Sequence, residues 1–158
     1  MDYRKFFYDE MPVLLRDLKT DTPALWGKMN AQQMVEHLAM VVSFSNGRFV
    51  QTPTAEPDRL AYRKMRFFEK DAPMPRNLRV DGQSEEPKPP IFTTLEESKI
   101  YLLNQLQRFD DYHAEHPDVQ PPHFMMGAFN YAEWVVFHAR HFRHHFQQFG
   151  LLPLPEVA

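Results

Sequence analysis

Apolar side chains recur every three or four residues along several stretches of the chain, a spacing that predicts amphipathic helices. The clearest of these helices is predicted from about 30 to 45. It opens with a capping box formed by Asn30 and Gln33, and Asn46 and Gly47 supply its stop signal. One side of this helix is therefore expected to face the core of the protein.

Two more helices begin with a box of the same kind. The segment 94–97 (Thr-Leu-Glu-Glu) opens one helix, which fades at His116. The segment 130–133 (Asn-Tyr-Ala-Glu) opens the other, which runs to Phe149 with Gly150 behind it. The first of these two helices is expected to bury four apolar side chains: Ile100, Leu103, Leu106 and Phe109.

Two weaker helical segments and a proline-rich stretch complete the pattern. The segment from about 3 to 18 contains Pro12, so a helix start or a kink is expected there. A shorter helix is predicted from about 57 to 69. The window from 71 to 90 carries five prolines and indicates an extended crossover: Pro73, Pro75, Pro87, Pro89 and Pro90. The alternating pattern of a β-strand is not found.

These elements predict an all-α protein, a four-helix bundle with a long proline-rich crossover between the second and third main helices. The chain has 158 residues, 43% hydrophobic and 25% charged, which fits a single domain over residues 1–158. The formal net charge of -3 argues against a nucleic-acid partner or an anionic membrane surface. We expect a cytoplasmic protein, because neither an apolar signal segment nor a membrane-length apolar run is found.

The chain contains no cysteine, which excludes disulfides, thiolate nucleophiles and cysteine metal sites. A metal ion would therefore need His, Asp or Glu ligands. His141 and His145 lie four residues apart on the last predicted helix, so they share one face and can chelate one divalent ion. His138, Gln148 and Trp134 lie on nearly the same stripe and are candidates for additional site residues.

A third ligand must come from another helix, and His37 is the one histidine of the helix predicted from 30 to 45. We therefore predict a three-histidine site of His37, His141 and His145, with open positions for water or substrate. Imidazole ligands suit zinc, nickel and iron(II) alike. The glutamate that zinc-protease helices place between their two histidines is absent, so that class is excluded. The spacing leaves open whether His138 joins or replaces a ligand.

Other interpretations of the histidines stand beside the metal site. Taken alone, His37 fits a hydrogen-bonded core residue, and a histidine-rich helix can be a solvated surface. His113 and His116 lie near a helix C-terminus, where a charged imidazole suits the helix dipole, and we interpret both as structural. His123 fits a packing role in a loop.

Most of the chain, from about 20 to 152, resembles the DinB-like (YfiT-like) superfamily of metalloenzymes and, within it, a bacterial branch of unassigned function. One stretch that carries the resemblance is WGKMNAQQMVEHL at 26–38. The others are HFMMG at 123–127, Glu133-Trp134 and HFRHHFQQFGL at 141–151. The segment 73–77 also resembles the crossover of that branch.

The resemblance implies a four-helix bundle whose metal ligands are one histidine of the second helix and a His-x-x-x-His pair of the fourth. At the matching positions stand His37, His141 and His145, and a glutamine of the branch matches Gln148. Characterised relatives use their metal with low-molecular-weight thiols. These relatives are transferases or a thiol-dependent isomerase, so the resemblance implies a metal-dependent enzyme that takes such a thiol as cosubstrate. Because a bound metal ion can also activate water, we expect thiol transfer or hydrolysis of a small molecule. No thiol-binding subsite is identified in the sequence.

Two functions without catalysis are left open by the same residues. The first is a helical bundle whose metal or histidine network serves stability or the binding of a small ligand. It predicts a large drop in melting temperature when metal is removed, and no turnover. The second is a homodimeric interaction module that uses exposed Phe and Met side chains. It predicts association that depends on concentration and is indifferent to histidine substitution.

Overall fold

The computed structural model describes residues 1–76 and 86–156 of the chain. The predicted crossover is described at both ends, while its middle, including Asn77, lies outside the described residues. The described chain is mostly helical. Its elements are α1 (Tyr3–Lys5), a π-helical turn (Phe6–Glu10), α2 (Met11–Asp17), α3 (Ala31–Ser43), α4 (Pro57–Phe68), α5 (Leu95–Glu115), β1 (Pro122–His123), β2 (Gly127–Ala128) and α6 (Tyr131–Gln148).

The helices α3 and α6 begin at the capping boxes that the sequence predicts. Asn30 accepts a hydrogen bond from the Gln33 backbone N–H at 2.8 Å, and the Gln33 side chain accepts from the Asn30 N–H at 2.9 Å. Asn130 and Glu133 make the same reciprocal pair at 2.9 and 3.1 Å. Because the boxes satisfy donors that the first helical turn leaves free, they determine where the two helices that carry the predicted metal ligands begin.

The helix α5 begins after Thr94 as predicted, but its start is only half a capping box. Thr94 Oγ1 accepts from the Glu97 N–H at 3.2 Å, whereas the Glu97 carboxylate accepts from the Thr93 N–H. The predicted buried face is wrong in part, because Ile100 and Leu103 are 60% and 42% exposed. The spacing of apolar residues did not predict the true buried face, because several of its side chains are polar. The buried residues of α5 are Leu95, Ser98, Lys99, Leu102, Gln105, Phe109 and His113.

The first helical segment continues through Pro12 with a change of helix type. The π-helical turn lies immediately before α2, and the Met11 N–H donates to Phe6 O, five residues back. Pro12 has no N–H to donate, so the break in α-helical hydrogen bonding falls where the sequence predicts a disturbance.

A short antiparallel pair precedes α6 and corrects the expectation of a chain without strands. Its register pairs Pro122 with Ala128 and His123 with Gly127. Gly127 has a φ of +79°, a left-handed conformation that glycine adopts at little cost. Strands of two residues are too short for an alternating pattern to show in the sequence.

The helix α3 packs against both α5 and α6, and α1 also contacts α6. Trp134, Phe142 and Phe146 of α6 are fully buried, and so are Met34 and Leu38 of α3. The packed pair α3 and α6 therefore carries much of the core, while the four-helix bundle as a whole stays a prediction. Within residues 1–76 and 86–156, no helix combines the length and the apolar character needed to cross a membrane.

Candidate metal centre

Three histidine side chains from two helices converge between α3 and α6. His37 lies on α3, and His141 and His145 lie one turn apart on α6. His141 Nε2 is 3.1 Å from His37 Nε2 and 3.0 Å from His145 Nε2. One nitrogen of each ring lies within 4.8 Å of those of the other two. The fold thus brings together the trio that the sequence predicts as ligands, which we call the three-histidine cluster.

The spacing of these nitrogens fits a divalent ion. In a tetrahedral zinc site with bonds of about 2.0–2.1 Å, neighbouring ligand atoms lie about 3.3 Å apart, and in an octahedral site about 3.0 Å. The separations of 3.0 and 3.1 Å from His141 are close to both arrangements. The three-histidine cluster could therefore hold a metal ion.

Burial keeps the imidazoles of the cluster neutral. It lowers the pKa of His37 to about 4 and that of His145 to about 3. It also holds the pKa of His141 well below its usual value, and positive charge on the other two rings would lower it further. At neutral pH each ring therefore offers a lone pair, the form in which imidazole binds a metal.

Gln148 determines which nitrogen of His145 carries the proton. The Gln148 Nε2–H donates to Trp26 O at 2.8 Å, and a carbonyl oxygen can only accept. The other amide atom, Oε1, therefore accepts the Nδ1–H of His145 at 2.7 Å. His145 Nε2 is left without a hydrogen and faces His141. Such an outer hydrogen bond is typical of metal-binding histidines.

His138 belongs to a different contact network, although it shares the stripe of His141 and His145. Ser45 Oγ donates to Val42 O at 2.8 Å and so accepts the Nε2–H of His138, also at 2.8 Å. The His138 ring stacks on Trp134, with centroids 5.1 Å apart, and Trp134 Nε1–H donates to Pro121 O. His138 and Trp134 therefore pack beside each other in the core, and neither is part of the three-histidine cluster.

The remaining histidines of α5 and the β-hairpin have roles in packing or lie at the surface. His113 Nε2–H donates to Ser45 O at 2.8 Å. Burial lowers the pKa of His113, so the charged form that the helix dipole would favour is not the one expected. His123 is buried, as a packing residue should be, and its Nδ1 accepts from the Met125 N–H at 3.1 Å. His116 is exposed at the end of α5.

The end of the crossover is attached to α3 next to the cluster. Glu36 Oε1 accepts from the Ile91 and Phe92 backbone N–H groups at 2.5 and 3.1 Å. One turn earlier, the Gln33 amide donates to Lys88 O at 3.1 Å. These contacts determine the position of Lys88 relative to His37, which directly follows Glu36 in the sequence.

Basic side chains lie around the cluster. Besides burial, positive charge on His144 and Lys88 lowers the pKa of His37, and Arg76 acts in the same way on His144. The Arg76 guanidinium lies 3.9 Å from the centre of the Trp26 ring. His37 is only half-buried, so the cluster is accessible to solvent on its side. No sequence motif indicated Lys88, and Arg76 lies in the segment 73–77 that resembles the crossover of the DinB-like branch, where the sequence assigned it no role.

The fold and the site define a mostly helical protein with a cluster of three histidines that could hold a metal ion. The chain belongs to the DUF1569 family, described as a protein family of unknown function, whose model matches residues 8–151. No curated protein and no solved structure matches the chain. The family description names no activity, and the resemblance to the DinB-like superfamily stays a prediction.

Proposed function

We propose that the protein is a metal-dependent enzyme of the DinB-like superfamily. In this proposal the segment from α1 to α2 forms a four-helix bundle with α3, α5 and α6. His37, His141 and His145 hold a divalent ion: zinc, nickel or iron(II). The observation that carries the proposal is the meeting of three neutral imidazoles, with Nε2 separations of 3.0 and 3.1 Å. Three protein ligands with open positions are typical of catalytic sites.

A divalent ion bound there would lower the pKa of a water or of an external thiol, chemistry that suits hydrolysis or thiol transfer. The protein's own contribution is to hold the rings: Gln148 orients His145 through its Nδ1–H. A thiol would have to come from outside the chain, because the chain has no cysteine, and the resemblance favours a low-molecular-weight cosubstrate. Lys88 and Arg76 favour a small-molecule substrate with an anionic group.

The first test is metal content, measured by mass spectrometry on protein purified without a metal-affinity step. We expect about one metal ion per chain in the wild type and close to none in His37→Ala and His141→Ala, since two histidines seldom hold an ion. The matched control is His144→Ala, which removes a histidine next to His145 that is not part of the cluster. This control should keep its metal.

Absence of metal from every preparation would overturn the metal site, provided that zinc, nickel and iron(II) have each been offered during refolding. Circular dichroism of the variants should match that of the wild type, so that loss of metal is not confused with loss of fold.

The second test separates the two reactions. The metal-loaded protein is screened against ester and amide substrates in the presence and absence of low-molecular-weight thiols. Turnover that requires the thiol would support a transferase, and turnover without it would support a hydrolase. No turnover in either screen, with metal bound, would contradict the enzymatic part of the proposal and favour a metal that serves stability.

A further inference from the structure

A cavity of about 270 Å³ lies between the N-terminal helical segment, α5 and the first half of α6. None of the three histidines of the cluster is among the described residues that line it. Its walls are mainly apolar and aromatic: Phe7, Met11, Leu103, Leu106, Phe109 and Val135. Benzene fits a cavity of about 150 Å³, so this one has room for a substituted aromatic ring.

The wall of the cavity contains one buried hydrogen-bond acceptor without a donor. His138 lines the cavity and is 1% exposed. Its Nε2–H is donated to Ser45 Oγ, whose own hydrogen goes to Val42 O, so Nδ1 carries the lone pair of the ring. No described residue donates to this Nδ1. A buried acceptor is destabilising unless a donor is supplied. Because Nδ1 itself exposes less than 1 Å² of surface, a ligand in the cavity would supply that donor after a small shift of the neighbouring side chains.

Groups on the exposed side of the cavity are already hydrogen-bonded. The Tyr8 and Tyr131 hydroxyls donate to the two carboxylate oxygens of Asp110 at 3.0 and 3.1 Å. The hydrogen bond to Asp110 raises the pKa of Tyr8, and burial and Asp110 raise that of Tyr131 to about 12, so both remain donors. The Arg4 guanidinium lies 5.7 Å from the Tyr8 ring centre, and its positive charge opposes the effect of Asp110 on the pKa of both tyrosines. This side therefore favours neither an anion nor a cation.

The backbone of the cavity wall is unusual at one place. Phe7 and Tyr8 lie in the π-helical turn Phe6–Glu10, which directs both side chains towards α5 and α6. π-helical turns within α-helices are frequent at functional sites. The turn is therefore consistent with a wall shaped for a ligand.

We propose that this cavity binds a small neutral phenol. The aromatic ring would contact Phe7 and Phe109, for which ring–ring packing is favourable. The hydroxyl group would donate to His138 Nδ1. A phenol combines the three properties that the cavity demands: an apolar ring, no charge and one strong donor. The proposal is independent of the three-histidine cluster.

The test compares p-cresol with toluene, which has the same ring and methyl group without the hydroxyl, on the purified full chain. Dissociation constants come from titrations followed by nuclear magnetic resonance. We expect p-cresol to bind about tenfold more tightly than toluene, as one recovered hydrogen bond allows. 4-Methylanisole, whose oxygen cannot donate, should bind no better than toluene. Equal affinity for p-cresol and toluene, or binding of neither, would overturn the proposal.

Variants test the location. Leu106→Trp fills the cavity and should abolish binding, whereas Ile100→Trp places the same residue on an exposed position of α5 and should leave it unchanged. His138→Phe removes the acceptor and keeps the ring, and Ser45 can still donate to Val42. In this variant the preference for p-cresol over toluene should vanish. Binding that survives Leu106→Trp would contradict the site even if His138→Phe does not fold.

Discussion

Six histidines of this protein form two groups that differ in what their ring nitrogens face. In the three-histidine cluster, the Nε2 atoms of His37 and His145 face that of His141. The second group, which we call the packing histidines, comprises His113, His123 and His138. Each of these has a ring nitrogen engaged with a protein group of complementary character: Ser45 O, the Met125 N–H and Ser45 Oγ.

Burial does not distinguish the two groups. It lowers the pKa of His123 to about 4 and of His138 to about 3, the same range as His37 and His145. A neutral buried imidazole is therefore a common property of ligands and packing residues. What separates them is the partner: in the cluster, ring nitrogens of three histidines face one another and one cation could bridge them, whereas each packing histidine has a ring nitrogen hydrogen-bonded to a serine or a backbone group.

The largest effect is expected from acid, which acts on the packing histidines whether or not metal is present. For each, the folded-state pKa lies below the unfolded value of about 6.5. Stability is therefore complete above pH 6.5 and falls as the pH drops towards the folded-state pKa. At pH 5, His123 and His138 together should cost about 4 kcal/mol in the free energy of unfolding. Urea unfolding at pH 7 and pH 5 measures this loss.

His123→Asn is the control for acid sensitivity. The asparagine Oδ1 can replace Nδ1 as acceptor for the Met125 N–H, but it does not titrate. The loss between pH 7 and pH 5 should shrink by about 2 kcal/mol in this variant. A loss of the same size as in the wild type would mean that His123 is not a source of the acid sensitivity.

The next effect concerns the three-histidine cluster alone. Zinc at about 100 times its dissociation constant should stabilise the wild type by about 2.7 kcal/mol, a rise of about 5–10 °C in Tm. His145→Ala should abolish this rise, because it removes a ligand. His144→Ala, on the same turn of α6, should keep it. A rise that persists in His145→Ala would place the zinc elsewhere. Differential scanning calorimetry measures both variants.

A smaller effect is expected from Ser45→Ala, which should lower stability without changing zinc binding. This change leaves the Nε2–H of His138 without its acceptor in the core and should cost about 2 kcal/mol in the free energy of unfolding. The affinity for zinc should not change, because His138 is outside the cluster. Ser43→Ala is the matched control: Ser43 is equally buried, but its hydroxyl only donates to Met40 O. A drop in zinc affinity in Ser45→Ala would mean that His138 and the three-histidine cluster belong to one site.

Local signals in the sequence were sufficient for the helices that carry the cluster. Asn30 and Asn130 each cap a helix where the pattern predicts it, because a capping box involves only four consecutive residues. The pairing of His141 with His145 follows from helix geometry in the same way. These predictions need no knowledge of how the helices pack.

Contacts between distant parts of the chain could not be predicted by the same means. His138 lies on the same helix stripe as His141. Only the hydrogen bond to Ser45, which follows the end of α3, shows that His138 is not part of the cluster. The buried stripe of α5 was obscured because Lys99 is buried through a bond from its Nζ to Leu18 O at 2.7 Å. Spacing along one helix carries no information about either partner.

The smallest effect is expected from a change at Gln148, which the family resemblance suggested as a site residue. In the structure, its side chain accepts a hydrogen bond from His145 of the cluster. Gln148→Leu removes the acceptor of the His145 Nδ1–H, so the ring is no longer held in the tautomer that directs its Nε2 lone pair at His141. Loss of such an outer partner lowers metal affinity by about tenfold or more. A competition titration with a zinc-binding dye measures this change.

Gln147→Leu is the matched control for this last prediction, because it makes the same substitution one residue earlier on α6. The Gln147 side chain is only half-buried, and its replacement should leave zinc affinity unchanged. Equal affinities in the two variants would mean that the His145–Gln148 bond serves the fold alone, like the His138–Ser45 bond. A tenfold loss of zinc affinity confined to Gln148→Leu would instead show that the His145–Gln148 hydrogen bond supports metal binding. An outer partner of a metal ligand has this role, and a packing contact does not.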